Sequence, residues 1–180
     1  MLPDTVHPKP LEAHLDEATE NPYALALAAN AFAERIGSTG APHFVALNAD
    51  LEVVAEIEAL GQRGPAISLD VTDEAEVRAG VEAAVDRFAG IDVLFNNAAV
   101  YPKVSFLDET PEEWTRAMGA NVNGMAYFCK AVLPIMIRAV TGRIYNLGSW
   151  AYLGPIPKSA AYSASKGAVH TLTRAIAEDV

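Results

Sequence analysis

A tyrosine and a lysine four residues apart, Tyr162 and Lys166, are the side chains in this sequence whose types and spacing best fit acid–base chemistry. On a helix this spacing places both residues on one face, one turn apart. An ammonium close to a phenol favours the phenolate and lowers the phenol pKa from about 10 toward neutrality. Such a phenol can exchange a proton with an alcohol or carbonyl oxygen. The pair alone is a weak signal, because ordinary helix surfaces also produce this spacing by chance.

A serine near the pair adds a second polar group to the predicted site. Ser149 lies thirteen residues before Tyr162, at the end of the apolar stretch Arg143–Leu147. Its hydroxyl could hold the same substrate oxygen that Tyr162 protonates. The loop 150–160 connects the two residues and contains Gly154, Pro155 and Pro157. Trp150 and Tyr152 on this loop are either substrate contacts or packing residues.

Two stretches around these residues resemble the active site of the short-chain dehydrogenase/reductase family. They read Gly-Arg-Ile-Tyr-Asn-Leu-Gly-Ser over 142–149 and Ala-Tyr-Ser-Ala-Ser-Lys-Gly-Ala over 161–168. The segment Leu94–Ala98 resembles the Asn-Asn-Ala-Gly turn of the family, with Ala99 in place of the glycine. Asn121–Gly124 lies in a predicted helix where the family places its catalytic asparagine. The resemblance extends from about residue 44 to the C-terminus and weakens before residue 37.

The resemblance implies an NAD(P)-dependent oxidoreductase that interconverts an alcohol and a carbonyl by hydride transfer. Tyr162 is then the acid and base, and Lys166 lowers its pKa and holds the ribose hydroxyls of the cofactor. Ser149 fixes the substrate oxygen. Asn121 bends its helix locally and holds a water linked to Lys166. The resemblance also implies a homodimer or homotetramer, formed through the helices predicted over 110–139 and 162–180.

Composition limits the other classes of function. The 180 residues suggest one domain, and a hydrophobic content of 51% supplies a sizeable core. A formal charge of −10 argues against nucleic acid as a partner. No apolar run approaches the ~18 residues needed to span a membrane, and Met1–Pro10 lacks a signal-peptide pattern. Cys129 is the only cysteine, which excludes an intrachain disulfide. We therefore expect a cytoplasmic protein without a membrane or metal site.

Hydrophobic runs that alternate with helical patterns predict an α/β fold. By resemblance this fold is a Rossmann-like, doubly wound parallel sheet in a three-layer α/β/α arrangement, here incomplete. The predicted domain covers residues 19–180, after a lead over 1–18 that reads as a short helix or as disorder. The predicted strands are 44–47, 65–71, 91–95 and 143–147, which should be adjacent and parallel. Their C-terminal ends should bring the polar residues together.

Capping signals place the predicted helices. Asp50 is a candidate N-cap for a helix over 51–60. Asp73 and Glu76 suggest a capping box before a helix that Gly90 ends. Thr110 and Glu113 suggest another, at the start of a helix that runs toward residue 139. Within that last helix, four apolar side chains should be core: Met125, Phe128, Val132 and Met136.

The cofactor residues are assigned from strand ends. By resemblance, the residue that closes the second strand of the family reads the adenosine ribose, and Asn48 stands there. No Lys or Arg occurs from residue 36 to 61, so a 2′-phosphate would lack a partner and NAD is favoured over NADP. Asp70 and the backbone of Val71 should face the adenine, although Asp70 could equally be a capping residue. The remaining predicted contacts, to the nicotinamide ribose, are Asn96, Asn97 and Ala98.

Residues Thr19–Ala26 differ from the family at the place where it has Thr-Gly-x-x-x-Gly-x-Gly. This chain has Glu20, Ala24 and Ala26 at the three glycine positions. Those glycines let the backbone approach a pyrophosphate at a helix N-terminus. Either the loop has diverged and binds the cofactor weakly, or the segment is an ordinary helix start.

A second function remains open, since the family continues beyond the Tyr162 helix with two more strand–helix units. Val180, the last residue, lies inside that helix. The alternative is a non-catalytic or truncated remnant with impaired cofactor binding. Saturable binding of NADH would favour the enzyme, and no binding at millimolar NADH would favour the remnant.

Restoring glycine at residues 20, 24 and 26 should tighten NADH binding. Alanine tolerates positive φ badly, and its methyl group keeps the pyrophosphate away from the backbone amides. A loss of a few kcal/mol at this loop corresponds to an affinity about a hundredfold lower. Glu20→Gly should be the largest single step at low salt, and salt should reduce it by screening. Titration of NADH at two ionic strengths measures this, and equal affinity of wild type and triple variant would contradict it.

Overall fold

The computed structural model describes residues 46–47, 66–154 and 156–180 of the chain. The chain divides into two compact units, Met1–Ser68 and Leu69–Val180. In the first unit, strand β1 (Ala46–Leu47) pairs in parallel with strand β2 (Ala66–Ile67), so the predicted pairing direction is confirmed. The lead over 1–18, the loop Thr19–Ala26, Asn48 and the helix predicted over 51–60 lie outside the described residues.

Strand β2 is shorter than the predicted strand over 65–71. The reason is a turn that begins at Asp70. Its carboxylate accepts hydrogen bonds from the backbone N–H and the hydroxyl of Thr72, at 2.8 and 2.7 Å. The N–H of Asp73 donates to the carbonyl of Asp70 at 3.0 Å. A side chain that bonds the backbone two residues later competes with strand pairing, so the prediction was wrong beyond residue 67.

The second unit contains the parallel pair of β3 (Val93–Asn96) and β4 (Arg143–Asn146). Val93 lies opposite Arg143, and Asn96 lies opposite Asn146. The predicted strands over 91–95 and 143–147 are therefore confirmed, with small shifts at their ends. That all four predicted strands form one sheet stays a prediction.

Helix α1 (Glu74–Phe88) starts at a capping aspartate, as predicted. The Asp73 carboxylate accepts from the N–H groups of Ala75 and Glu76, at 2.8 and 3.1 Å. The predicted capping box is not closed, because the Glu76 carboxylate accepts from the N–H of Asp70 at 2.7 Å instead. The helix ends one residue before the predicted position, where Ala89 adopts the left-handed conformation with φ 65°.

The long helix predicted from residue 110 is present in three parts. Thr110 and Glu113 form a complete capping box before α2 (Pro111–Met118). A π-helical segment, Gly119–Gly124, then leads into α3 (Met125–Ala139). The predicted core positions of α3 are confirmed as buried: Met125, Phe128, Val132 and Met136.

Helix α4 (Ala160–Asp179) packs with α3 over strand β4. The cluster between them joins Met125 and Cys129 of α3 to Val169 of α4, with Leu133, Ile144, Leu172 and Ile176 around them. This apolar contact holds the predicted catalytic helix against the strand that leads to Ser149. Within the described part of the chain, no helix is long and apolar enough to cross a membrane.

Replacing Gly124 by alanine should destabilise the protein. A Cβ atom there would lie 2.9 Å from the carbonyl oxygen of Val71, which is backbone and cannot easily move. We expect Gly124→Ala to lower the free energy of unfolding by about 1–3 kcal/mol, as overpacking commonly does. Gly90→Ala is the control, because a Cβ at Gly90 has no atom within 4 Å. Equal thermal melting temperatures of the two variants would contradict the prediction.

Candidate active site

Tyr162 and Lys166 lie one turn apart on α4, as the spacing predicted. Lys166 is buried, with 4% of its surface exposed, and its Nζ donates to the carbonyl oxygen of Leu147 at 2.6 Å. The same Nζ lies 5.7 Å from the centre of the Tyr162 ring, within the range of a cation–π contact. Since Leu147 directly follows β4, this hydrogen bond joins α4 to the end of the strand.

Burial lowers the pKa of Lys166 below that of an exposed lysine, because the charged ammonium loses its water. The Leu147 carbonyl is the protein acceptor that meets the Nζ group. The proton on Lys166 is therefore held less tightly than in solvent, which suits a group that takes part in proton exchange.

Ser149 lies two residues after Leu147 in an extended conformation. Its Oγ accepts from the N–H of Ala151 at 3.2 Å and caps the short 3-10 turn Trp150–Tyr152. This contact does not use the hydroxyl hydrogen. The turn packs on α4, where the rings of Tyr152 and His170 stack at 4.9 Å. Trp150 is exposed, so of the two loop aromatics only Tyr152 has a stacking contact with a ring of α4.

Asn121 lies in the π-helical segment and is 3% exposed. Its Oδ1 accepts from the N–H of Val100 at 2.7 Å, and its Nδ2 donates to the Val100 carbonyl at 3.0 Å. The same Nδ2 donates to the hydroxyl of Ser165 on α4 at 2.9 Å. Both amide hydrogens are thus used within the protein. A water at this residue would have to bind an oxygen, either of the side chain or of the backbone.

Asn96, the last residue of β3, and the two residues after it have different surroundings. The Asn96 amide donates to Oδ1 of Asn146 at 2.8 Å, so it bridges the two strands. Asn97 and Ala98 are exposed just beyond the end of the strand. They remain available to a ligand, whereas the Asn96 side chain is already bound by the protein.

The two residues predicted at the adenine have different surroundings. Asp70 is exposed, and the hydrogen bonds from the Thr72 N–H and hydroxyl lower the pKa of its carboxyl. Val71 is buried, with its carbonyl close to Gly124. Asp70 therefore holds a turn with Thr72 and is not the helix cap that the sequence left open, because Asp73 is the N-cap of α1. An adenine contact by Asp70 or Val71 stays a prediction.

Tyr101 is a site residue that the sequence reasoning missed. Its ring meets the Tyr162 ring edge-on, with 4.5 Å between the centroids, and 46% of Tyr101 is exposed. Residue spacing gave no signal for this contact, which depends on how the loop after β3 is folded. Asn121 holds the backbone of the preceding residue, Val100, and so supports the position of Tyr101. The Tyr101 ring thus lies directly beside the predicted acid and base, Tyr162.

Asn121→Ala should destabilise the protein, because it leaves the partly buried N–H and C=O groups of Val100 without their side-chain partner. We expect a loss of about 1–3 kcal/mol in the free energy of unfolding. Asn123→Ala is the matched control, since Asn123 is exposed in the same π-helical segment. Its effect should stay within about 0.5 kcal/mol. Denaturant titration of both variants checks this, and equal midpoints would disprove the role assigned to Asn121.

The chain matches a family model and is similar in sequence to proteins named as dehydrogenases. The family model for the short chain dehydrogenase matches residues 29–180. The 2-(R)-hydroxypropyl-CoM dehydrogenase of Xanthobacter autotrophicus is 40% identical over 116 residues, which are 63% of this chain and 46% of that protein. The galactitol 2-dehydrogenase of Agrobacterium fabrum is 34% identical over 147 residues, or 81% of this chain and 57% of that one. The chain thus spans about half the length of these relatives.

A solved structure supports the similarity to short-chain dehydrogenases. A metagenomic short-chain oxidoreductase crystallised in complex with NADP has a TM-score of 0.73 and 30% identity to this chain. The match covers 83% of this chain and 70% of that one, so the parallel-stranded α/β architecture is the Rossmann-like fold predicted from the sequence. Fold, motifs and family model agree, and this chain belongs to the short-chain dehydrogenase/reductase family.

Proposed function

We propose that the protein interconverts an alcohol and a carbonyl compound by NAD(P)-dependent hydride transfer. The observation that carries this proposal is the buried Lys166, which shares a helix face with Tyr162 and is bonded to the strand end that leads to Ser149. Burial of a lysine costs free energy unless the ammonium is well partnered. Such costly buried groups are concentrated at functional sites. The contact between Lys166 and Leu147, two residues before Ser149, supports a site that includes all three polar residues.

The proton chemistry follows from the groups present. In the reductive direction, the Tyr162 hydroxyl donates its proton to the carbonyl oxygen while the Ser149 hydroxyl holds that oxygen by a hydrogen bond. In the oxidative direction, the oxygen of Tyr162 takes the proton of the alcohol. Lys166 contributes a positively charged group next to the phenol, since its Nζ lies 5.7 Å from the centre of the Tyr162 ring. The nicotinamide cofactor, when bound, supplies or accepts the hydride.

The described residues fit the nicotinamide end of such a cofactor. Asn97 and Ala98 are exposed beyond β3, and parallel α/β sheets bind ligands at the C-terminal ends of their strands. Lys166 would hold the ribose hydroxyls through donors other than the one bonded to Leu147. NAD is favoured over NADP, because residues 36–61 contain no Lys or Arg that could bind a 2′-phosphate.

Substrate and assembly are proposed at the level of chemical class. The relatives named above are dehydrogenases of a hydroxypropyl compound and of galactitol, so a small alcohol or the corresponding carbonyl is the proposed substrate. The apolar and aromatic side chain of Tyr101 would contact the part of the substrate near the reacting carbon. Self-association through α2, α3 and α4 stays a prediction.

A non-catalytic, cofactor-poor protein is the second candidate. It is favoured by Glu20, Ala24 and Ala26 at the glycine positions of the family. The two candidates differ in NADH binding, which fluorescence titration measures directly. Saturable binding supports the enzyme, and its absence at millimolar NADH supports the second candidate.

Tyr162→Phe should abolish turnover while leaving the fold and NADH binding unchanged, because only the hydroxyl is lost. We expect a fall of at least about a hundredfold, the usual size of an acid–base contribution. The oxidative rate of the wild type should also rise with pH, since the alcohol must release a proton. Turnover is measured with NAD and a panel of small secondary alcohols.

Tyr127→Phe is the control for this variant. Tyr127 lies on α3, where it lines a groove between α3 and α1 together with Lys130 and Ala131. It should keep wild-type turnover and wild-type melting temperature. A Tyr162→Phe protein with normal activity would refute the proposed mechanism.

A further inference from the structure

A chain of hydrogen bonds connects β3, β4 and α4, the helix that carries Tyr162 and Lys166. The Asn96 amide donates to Oδ1 of Asn146 at 2.8 Å, and Nδ2 of Asn146 donates to the hydroxyl of Thr173 at 3.0 Å. The Thr173 hydroxyl in turn donates to the carbonyl of Val169 at 2.7 Å. The Cys129 thiol lies beside both amides, 3.5 Å from Nδ2 of Asn96 and 3.9 Å from Oδ1 of Asn146.

The direction of this chain is set by Thr173. A hydroxyl has one hydrogen, and that of Thr173 is given to the carbonyl of its own helix. The oxygen can therefore only accept from the strand, and the Nδ2 group of Asn146 is the donor that meets it. The other side of the Asn146 amide then accepts from Asn96. Valine at position 173 has nearly the same shape but cannot accept, whereas serine can.

Thr173 lies on the same stripe of α4 as the proposed catalytic residues. Residues 162, 166, 169 and 173 follow the i, i+4, i+7, i+11 spacing that repeats on one helix face. Two successive residues of the β4 end are bonded to this stripe, Asn146 to Thr173 and Leu147 to Lys166. The two attachments are seven residues apart, or roughly 10 Å along the helix axis.

Two attachments at this separation restrict both sliding along the helix axis and rotation about it. A further contact between α4 and β4 is apolar, in the cluster that contains Cys129, Val169 and Ile144. Apolar contacts have no preferred direction, whereas hydrogen bonds weaken steeply when distance and angle change. The hydrogen bonds therefore decide the position of α4 more sharply than the apolar packing does.

We propose that Thr173, through its bond from Asn146, is a positioning residue that holds Tyr162 and Lys166 in their catalytic placement. This inference rests on the proposed function for its effect on turnover, but not for its effect on the placement of Lys166. Thr173 itself is three helical turns from Tyr162 and touches no reacting atom. Removing the Thr173 hydroxyl should therefore change kcat rather than KM.

The first test compares Thr173→Val and Thr173→Ser with Thr171→Val. Thr171 is exposed on the same helix, so its variant matches the chemical change without touching the network. Well below the melting transition, Thr173→Val should lower kcat about tenfold, since small misplacements of catalytic groups are costly. Thr173→Ser and Thr171→Val should keep wild-type kcat. If Thr173→Val fails to fold, Thr173→Ala takes its place.

The second test does not depend on activity. Brief labelling with an amine-acetylating reagent, followed by mass spectrometry, compares the reaction rate of Lys166 with that of the exposed Lys130. Removing the Thr173 hydroxyl should loosen α4 and raise the Lys166 to Lys130 ratio severalfold. Thr173→Ser and Thr171→Val should leave the ratio unchanged.

The two tests separate the two hypotheses. If the wild type is inactive, the proposed function is refuted. If Thr173→Val nevertheless raises the Lys166 to Lys130 labelling ratio, the positioning role is supported. An active wild type, with equal kcat and equal labelling in Thr173→Val and Thr171→Val, overturns the positioning role and leaves the proposed function in place. A structural role without positioning would lower the melting temperature of Thr173→Val but change neither kcat at low temperature nor the labelling ratio.

Discussion

The burial of Lys166 is the constraint on which the rest of the site depends. Removing an ammonium from water costs several kcal/mol unless a dipole or charge replaces the lost hydration. Here the carbonyl of Leu147 and the face of the Tyr162 ring replace part of it, at 2.6 Å and 5.7 Å from Nζ. This requirement keeps α4 against the end of β4. Because Ser149 follows Leu147 by two residues, the same requirement brings the serine toward the helix that carries the tyrosine.

Polar side chains hold the elements around this contact in place. Asn121 joins the loop after β3 to Ser165 of α4, and Asn146 joins β4 to Thr173 of the same helix. These bonds lie on either side of Lys166, so the helix is attached to the rest of the unit by groups that tolerate little displacement. Buried amides are favourable only when their donors and acceptors are paired, which makes each attachment specific to one geometry. Gly124, the last residue of the π-helical segment, fits close to the backbone of Val71 because it has no Cβ.

Much of the second unit followed from local patterns in the sequence. The capping box at Thr110, the N-cap at Asp73 and the helical spacing of Tyr162 and Lys166 depend on residues within a few positions, so they could be predicted. The strand over 65–71 and the helix end at Gly90 were predicted less well. In both places, a local conformation without a strong sequence pattern ended the element. The Asp70 turn ended the strand, and the left-handed conformation of Ala89 ended the helix.

The sequence by itself determined the class of fold, the family and the residue types of the candidate site, because motif spacing reflects local geometry and the chemistry of individual side chains. Tertiary structure alone decided which partners those side chains have. Nothing in the spacing indicated that Asn96 would bond Asn146, fifty residues away, or that Tyr101 would pack against Tyr162. Such contacts form between segments far apart in the chain. Their geometry depends on how β3, β4 and α4 pack together, which no local pattern of residues encodes.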